Sequence, residues 1–245
     1  DDVLCVDIPQ ACAGYVVGLM QSFMLLEHME GKKVLLCTGE TFCRGNKEKQ
    51  EPPYYRAPFG GDAANITIVE NGGQDKICYE FHQDGSQRKC LVIPDGAFRN
   101  PMTVEQIQNQ IVRMPLTGVV MDGSTVFNFA QKEVPILVDS LTKMAETTKE
   151  DIDWFLFHQP NKFMLQKLAE RIGVPFEKMP MDIVEKFGNS NSATIPTAIT
   201  ADLKEEMLNK ESLCCLAGFG AGVAWAGIIM KMGNMDFCDT IISDL

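Results

Sequence analysis

The chain has 245 residues, 45% hydrophobic and 22% charged, enough to bury one large core or two modest ones. Asp and Glu number 33 against 22 Lys and Arg, a formal net charge of −11. That balance gives no general electrostatic reason to bind nucleic acid or an anionic membrane surface. The nine cysteines include no Cys-x-x-Cys pair, which argues against a zinc site or a disulfide framework and for a reducing cytoplasm.

The chain opens Asp1-Asp2-Val3-Leu4, with neither an initiator Met nor a signal-peptide pattern, and reads as processed or incomplete. Residues 3–7 (VLCVD) are apolar and predict a buried strand. Residues 10–30 predict a helix, apolar nearly all round and so deep in the interior, with Gly31 at its end. Residues 33–38 and 63–69 predict strands, separated by a polar, Pro-containing loop at 44–58. Further strands are predicted at 77–82 and 90–93, around a turn at Asp84-Gly85, and a short helix at 104–112. A long amphipathic helix covers 124–145, a strand 153–157 and a helix 161–172. A strand at 179–183 leads to a Gly/Asn/Ser loop, a helix at 194–208 and two closing strands at 212–217 and 222–230. The last of these is the longest apolar run and is too short to span a bilayer.

The order strand, small-residue loop, buried helix, strand, strand describes residues 3–70 and again residues 179–231. This weak architectural repeat suggests two related halves, the first having lost its beginning, and the alternation of strands and helices a layered α/β fold.

Cys12 stands between Ala11, Ala13 and Gly14 at the mouth of the first predicted helix. Unpaired N–H groups and the positive end of the helix dipole favour a thiolate there, and can hold a developing oxyanion. The small neighbours leave room for a carbonyl to reach the sulfur, so Cys12 is a candidate acyl acceptor. His158 follows an apolar strand, at the end where α/β sites gather. Asn189 lies in the loop Phe187-Gly188-Asn189-Ser190-Asn191-Ser192, and Gly218-Phe219-Gly220-Ala221-Gly222 joins two strands with almost no side chains. Taken singly, each has a plainer reading, as a buried thiol, an N-cap or a tight turn.

Together, ACAG with Cys12, HQPN with His158, GNSNSATIP with Asn189 and the closing GFGAGVAWAG resemble the β-ketoacyl-acyl carrier protein synthase III family, in order and approximate spacing. Gly61-Asp62-Ala63-Ala64 and Asp84-Gly85-Ser86 are similar to further family turns, so the resemblance covers nearly the whole chain. It implies a thiolase-like αβαβα fold from which the N-terminal portion of the first half is missing, with residues 1–72 the remainder of that half and 73–245 the second half. It implies too that the chain does not fold without that segment of the same protein.

The resemblance also implies a reaction. Cys12 takes an acyl group from an acyl-coenzyme A. A malonyl thioester on acyl carrier protein then loses carbon dioxide, and the carbanion attacks the acyl-cysteine. His158 and Asn189 match the pair that holds the enolate oxygen, and the backbones of Cys12 and Ala221 the oxyanion hole. Phe163, Phe219 and Gly220 match substrate-binding positions, although Phe163 stands where the family carries an arginine. No metal or redox cofactor is needed, since coenzyme A is part of the substrate. A homodimer is expected through the strand at 63–69. Lys162, Lys167 and Arg171 form either a basic patch for the carrier protein or an ordinary solvated helix face. Two other readings stay open: acyl transfer to a hydroxyl or amine, and a non-catalytic partner subunit.

Overall fold

A computed structural model describes residues 3–41, 60–73, 75–94 and 119–243, with Phe98, Pro101, Thr103, Val104, Glu105 and Gln108 between them. The loop expected at 44–58 and most of the helix expected at 104–112 lie outside the described residues.

A 3-10 turn at Ala11–Ala13 leads into α1 (Gly14–Glu27). The first half of α1 is buried all round, but Met24 and Leu25 reach the surface, so the helix is interior only where it begins. Strands β1 (Lys33–Thr41) and β2 (Asp62–Glu70) pair antiparallel as a sheet of their own. A four-stranded sheet has the order β3 (Cys78–Gln83), β8 (Ala224–Gly233), β7 (Glu211–Gly220), β6 (Trp154–Phe157), with β6 parallel to β7 and the other pairs antiparallel. Two short strands, β4 (Leu91–Val92) and β5 (Val120–Met121), pair at the periphery.

Between them run α2 (Gly123–Met144), α3 (Lys162–Ile172), α4 (Ile183–Phe187), α5 (Thr194–Asp202) and α6 (Lys204–Asn209). Helix α3 begins where the Asn161 carboxamide accepts the Met164 N–H at 2.8 Å, and stops where Gly173 turns left-handed at φ 83°.

The alternation of strand side chains sorts the core into two layers. Phe155 and Phe157 of β6, Cys215, Ala217 and Phe219 of β7, and Ile229 of β8 pack under α2 and α3. Leu156, Cys214, Leu216, Ala226 and Ile228 face the other way, onto α1 and α5, and that cluster continues into Leu36 of β1 and Val69 of β2. The order among the described residues is therefore helices, four-stranded sheet, helices, two-stranded sheet. Helices α1 and α5 lie between the two sheets, which explains why both begin buried on every side, including Thr194 and Thr197 of α5.

Three expectations are corrected. Residues 3–7 form no strand: Val3, Leu4 and Val6 are exposed, and no described strand pairs with them, so an apolar run alone supplies no ladder. Residues 179–183 form no strand either. Met179, Met181 and Ile183 are buried with period two, but Pro180 has no N–H, and its carbonyl accepts from the Gln159 side chain at 2.8 Å. The helix expected at 194–208 breaks at Leu203, whose φ of −122° separates α5 from α6. What repeats is thus turn, buried helix and antiparallel strand pair, without an opening strand on either side.

Candidate active site

The polypeptide enters the turn before α1 at Ala11 with φ 42°, a left-handed value that is uncommon outside glycine. That turn sets Cys12 at the head of α1, only 7% exposed. Strand β7 passes close beneath it. A Cβ on Gly220 would stand 2.8 Å from the Cys12 sulfur, and one on Gly218 2.8 Å from Ala13 Cα. Glycine at these two positions is what lets strand and turn approach so closely.

The Cys12 thiol donates to Asn191 Oδ1 at 3.0 Å, and the backbone N–H groups of Ala221 and Cys12 are directed at the sulfur. The shift toward thiolate expected from the helix mouth does not occur. Burial pushes the thiol up to about 12, against which the two N–H groups pull only in part, and the Glu40 carboxylate adds to the rise. A helix terminus contributes at most ~2 kcal/mol, less than desolvation of a thiolate in a closed site.

His158 follows β6 and is held by its own N–H to the Ala217 carbonyl at 2.8 Å. Its ring is buried, with Nδ1 2.8 Å from Thr194 Oγ1. The Thr194 hydroxyl in turn lies 2.8 Å from the Asn191 carbonyl, which also bonds the ring. A carbonyl only accepts, so the arrangement that satisfies all three groups puts the imidazole hydrogen on Nδ1 and leaves the lone pair on Nε2. The Phe219 ring meets the imidazole edge-on at 5.7 Å and 79°. Burial pushes the imidazole down to about 4, so it is neutral at physiological pH.

Asn189 comes after α4, which ends at Gly188. Its backbone bridges to Gly60, and its carbonyl accepts the Gly61 N–H at 3.0 Å, so the entrance to β2 fixes its position. Its Oδ1 accepts the Asn191 N–H at 2.9 Å. The Nδ2 hydrogens point elsewhere, with no partner among the described residues.

Cys12, His158 and Asn189 are therefore brought together, and the residue common to them is Asn191. Its side chain holds the thiol, its carbonyl faces the imidazole and its N–H orients the Asn189 carboxamide. Sequence reading passed over Asn191. The available signal was that Asn tolerates left-handed backbone better than other side chains, and Asn191 sits at φ 50°. Glu40 was missed as well. It lies on the inward face of β1, in step with Leu36 and Thr38, and its carboxylate accepts from the Asn191 side chain.

The three substrate-binding candidates separate. Gly220 touches Cys12 and Phe219 touches His158. Phe163 is 60% exposed on α3, stacked on Phe127 of α2 at 5.9 Å with Lys167 Nζ 6.0 Å from its ring centre, rather than in the Cys12 cluster. Of the helix cations, Lys162 pairs with Asp182 and Lys167 with Glu170, each at 2.6 Å.

A family model described as 3-Oxoacyl-[acyl-carrier-protein (ACP)] synthase III C terminal matches residues 142–232, which include His158, Asn189 and Gly220. A Beta-ketoacyl-[acyl-carrier-protein] synthase III from Synechocystis sp. is 30% identical over 226 residues, 92% of this chain and 66% of that protein. One from Natranaerobius thermophilus is 28% identical over 94% of this chain and 69% of its own length. Among solved structures, a 3-oxoacyl-(acyl-carrier protein) synthase from Burkholderia xenovorans LB400 superimposes with a TM-score of 0.83 at 32% identity, over 98% of this chain and 67% of that one. The chain thus spans about two thirds of the length of the proteins it matches.

Proposed function

The chain belongs to the β-ketoacyl-acyl carrier protein synthase III family of thiolase-fold proteins, and on that premise we propose that it is a condensing acyltransferase of fatty acid or related polyketide-type biosynthesis. The observation that carries this reading is the gathering of Cys12, His158 and Asn189 around one residue, Asn191.

Both the thiol and the imidazole rest uncharged. In the proposed first half-reaction the sulfur attacks the carbonyl of an acyl-coenzyme A, and its proton passes to the Nε2 lone pair of His158. The N–H groups of Cys12 and Ala221 hold the oxyanion. The imidazole returns the proton to the departing coenzyme A sulfur, leaving acyl-Cys12 and a neutral ring.

In the second half-reaction a malonyl thioester loses carbon dioxide, and charge develops on its thioester oxygen. The Nδ2 hydrogens of Asn189 are the donors at hand. His158 adds another in its other tautomer, reached when Nδ1 gives up its proton and Nε2 takes one by exchange with water; the Thr194 hydroxyl then turns its hydrogen from the Asn191 carbonyl to Nδ1. The carbanion then attacks the acyl-cysteine and expels the Cys12 sulfur as a thiolate, which takes up a proton from solvent, the one proton the condensation consumes. No metal or redox group enters this scheme. We take the malonyl carrier to be acyl carrier protein, the working form to be a homodimer joined through β2, and the compartment to be the cytoplasm. Among the described residues no helix is long and apolar enough to cross a membrane.

The test is incubation with an acyl-coenzyme A followed by mass measurement of the intact chain and its peptides. Acylation at Cys12, absent in Cys12→Ala, is expected. Undiminished loading of Cys12→Ala places the nucleophile elsewhere. Loading without carbon dioxide release from a malonyl thioester points to transfer onto a hydroxyl or amine, and no loading at all to a non-catalytic subunit.

A further inference from the structure

We propose that Glu40 and Asn191 act as a positioning pair behind the nucleophile: Glu40 sets which end of the Asn191 carboxamide faces Cys12, and so holds the thiol in its protonated form until substrate arrives. This deepens the reading of Cys12 as the acyl acceptor and rests on it.

The geometry points to this in three steps. A carboxylate only accepts, so the Asn191 side chain must turn its NH2 toward Glu40. The oxygen then faces the other way, where it stands 3.0 Å from the sulfur and accepts the S–H. Flipped, the same carboxamide would donate to sulfur and favour the thiolate. Glu40 has its own reason to hold on. It projects from the inward face of β1, half-buried beside Asp62 at the facing end of β2, and the Asn191 amide is the donor that satisfies it there. The backbone supports the same arrangement, because the left-handed turn at Asn191 also delivers its N–H to Asn189 and its carbonyl to the His158 ring.

The titratable group acting on Cys12 is Glu40 from β1, with Asp62 of β2 acting on Glu40 in turn. The negative charge of Glu40 works in the same direction as the carboxamide it orients.

The readout is the rate at which iodoacetamide alkylates Cys12 in the whole chain at pH 8, followed on the Cys12 peptide so that the exposed Cys5 and Cys37 do not interfere. Removing the charge and freeing the carboxamide with Glu40→Gln is expected to raise that rate about tenfold, the effect of lowering a thiol by one pH unit. Glu40→Asp, which keeps the carboxylate, is expected to stay near the parent rate. Asn191→Gly keeps the left-handed backbone, removes the carboxamide, and is expected to react faster too; it decides the matter if Glu40→Gln does not fold. Parent rates in folded Glu40→Gln, or in Asn191→Gly where the first is unfolded, overturn the proposal. Alkylation needs no acyl donor, so this result is independent of whether Cys12 proves to be the acyl acceptor.

Discussion

At the scale of single residues, the two groups proposed to exchange a proton are both neutral and both buried, and that has a cost in stability away from neutral pH. His158 sits at about 4 in the folded chain against 6.5 for a free imidazole. Between those values the unfolded chain binds a proton that the folded one does not, so stability falls as pH drops from 6.5 toward 4, by on the order of 3 kcal/mol. Cys12 behaves oppositely, at about 12 against 9.0. Above pH 9 the unfolded thiol ionises first, and stability declines again; the buried Cys214, also pushed up to about 12, shares that limb. Urea midpoints across pH are expected to peak between 6.5 and 9, with the acid limb flattened in His158→Gln. An unchanged acid limb would place the effect on other groups. Cys12, His158 and Asn189 could be picked out because each stands in a recognisable short motif. The state of the thiol could not, because the sequence shows the helix mouth but not the strand that closes over it. Asn191 and Glu40 stayed hidden for a related reason: they are partners across the fold, 151 positions apart by subtraction of their residue numbers.

At the scale of elements, boundaries were legible where local chemistry sets them. Asn161 and Gly173 bracket α3 as a cap and a left-handed stop should. Replacing Asn161 by Ala removes the bond to the Met164 N–H and is expected to cost about 1 kcal/mol in denaturant titration. The element errors share a cause, since each reading used side-chain pattern without knowing the backbone's partner. Residues 179–183 alternate like a strand, but Pro180 and the Gln159 amide settle them otherwise. The strand β7 is the element on which the site leans hardest. Gly220→Ala would put a methyl carbon 2.8 Å from the Cys12 sulfur, so either the turn moves or the thiol does. A loss of at least tenfold in acyl loading is expected, roughly the ~1.4 kcal/mol that a displaced nucleophile forfeits in the transition state. Loading at the parent rate would mean that the turn relaxes freely.

For the molecule as a whole, the layered α/β class could be read from the alternation of strands and helices, and the deep placement of the start of α1 from its all-round apolar residues. We propose a boundary near residue 72, where the chain leaves the β1–β2 sheet for the four-stranded one. The two parts nonetheless share a core, in which Leu36 and Val69 belong to the same cluster as Leu156 and Leu216. Strand β2 pairs with β1 on one side and is proposed to meet its own copy on the other. Sedimentation at micromolar concentration is expected to give a dimer, and a monomer there would remove that part of the proposal.

The bridge between Gly60 and Asn189 ties a strand entrance in the first part to a loop far into the second. Helices can form early from neighbours in sequence, but that closure has to wait until remote stretches have met. In a refolding experiment, then, recovery of chemical competence should trail recovery of circular dichroism, and the interval between them would time the docking of one sheet against the other.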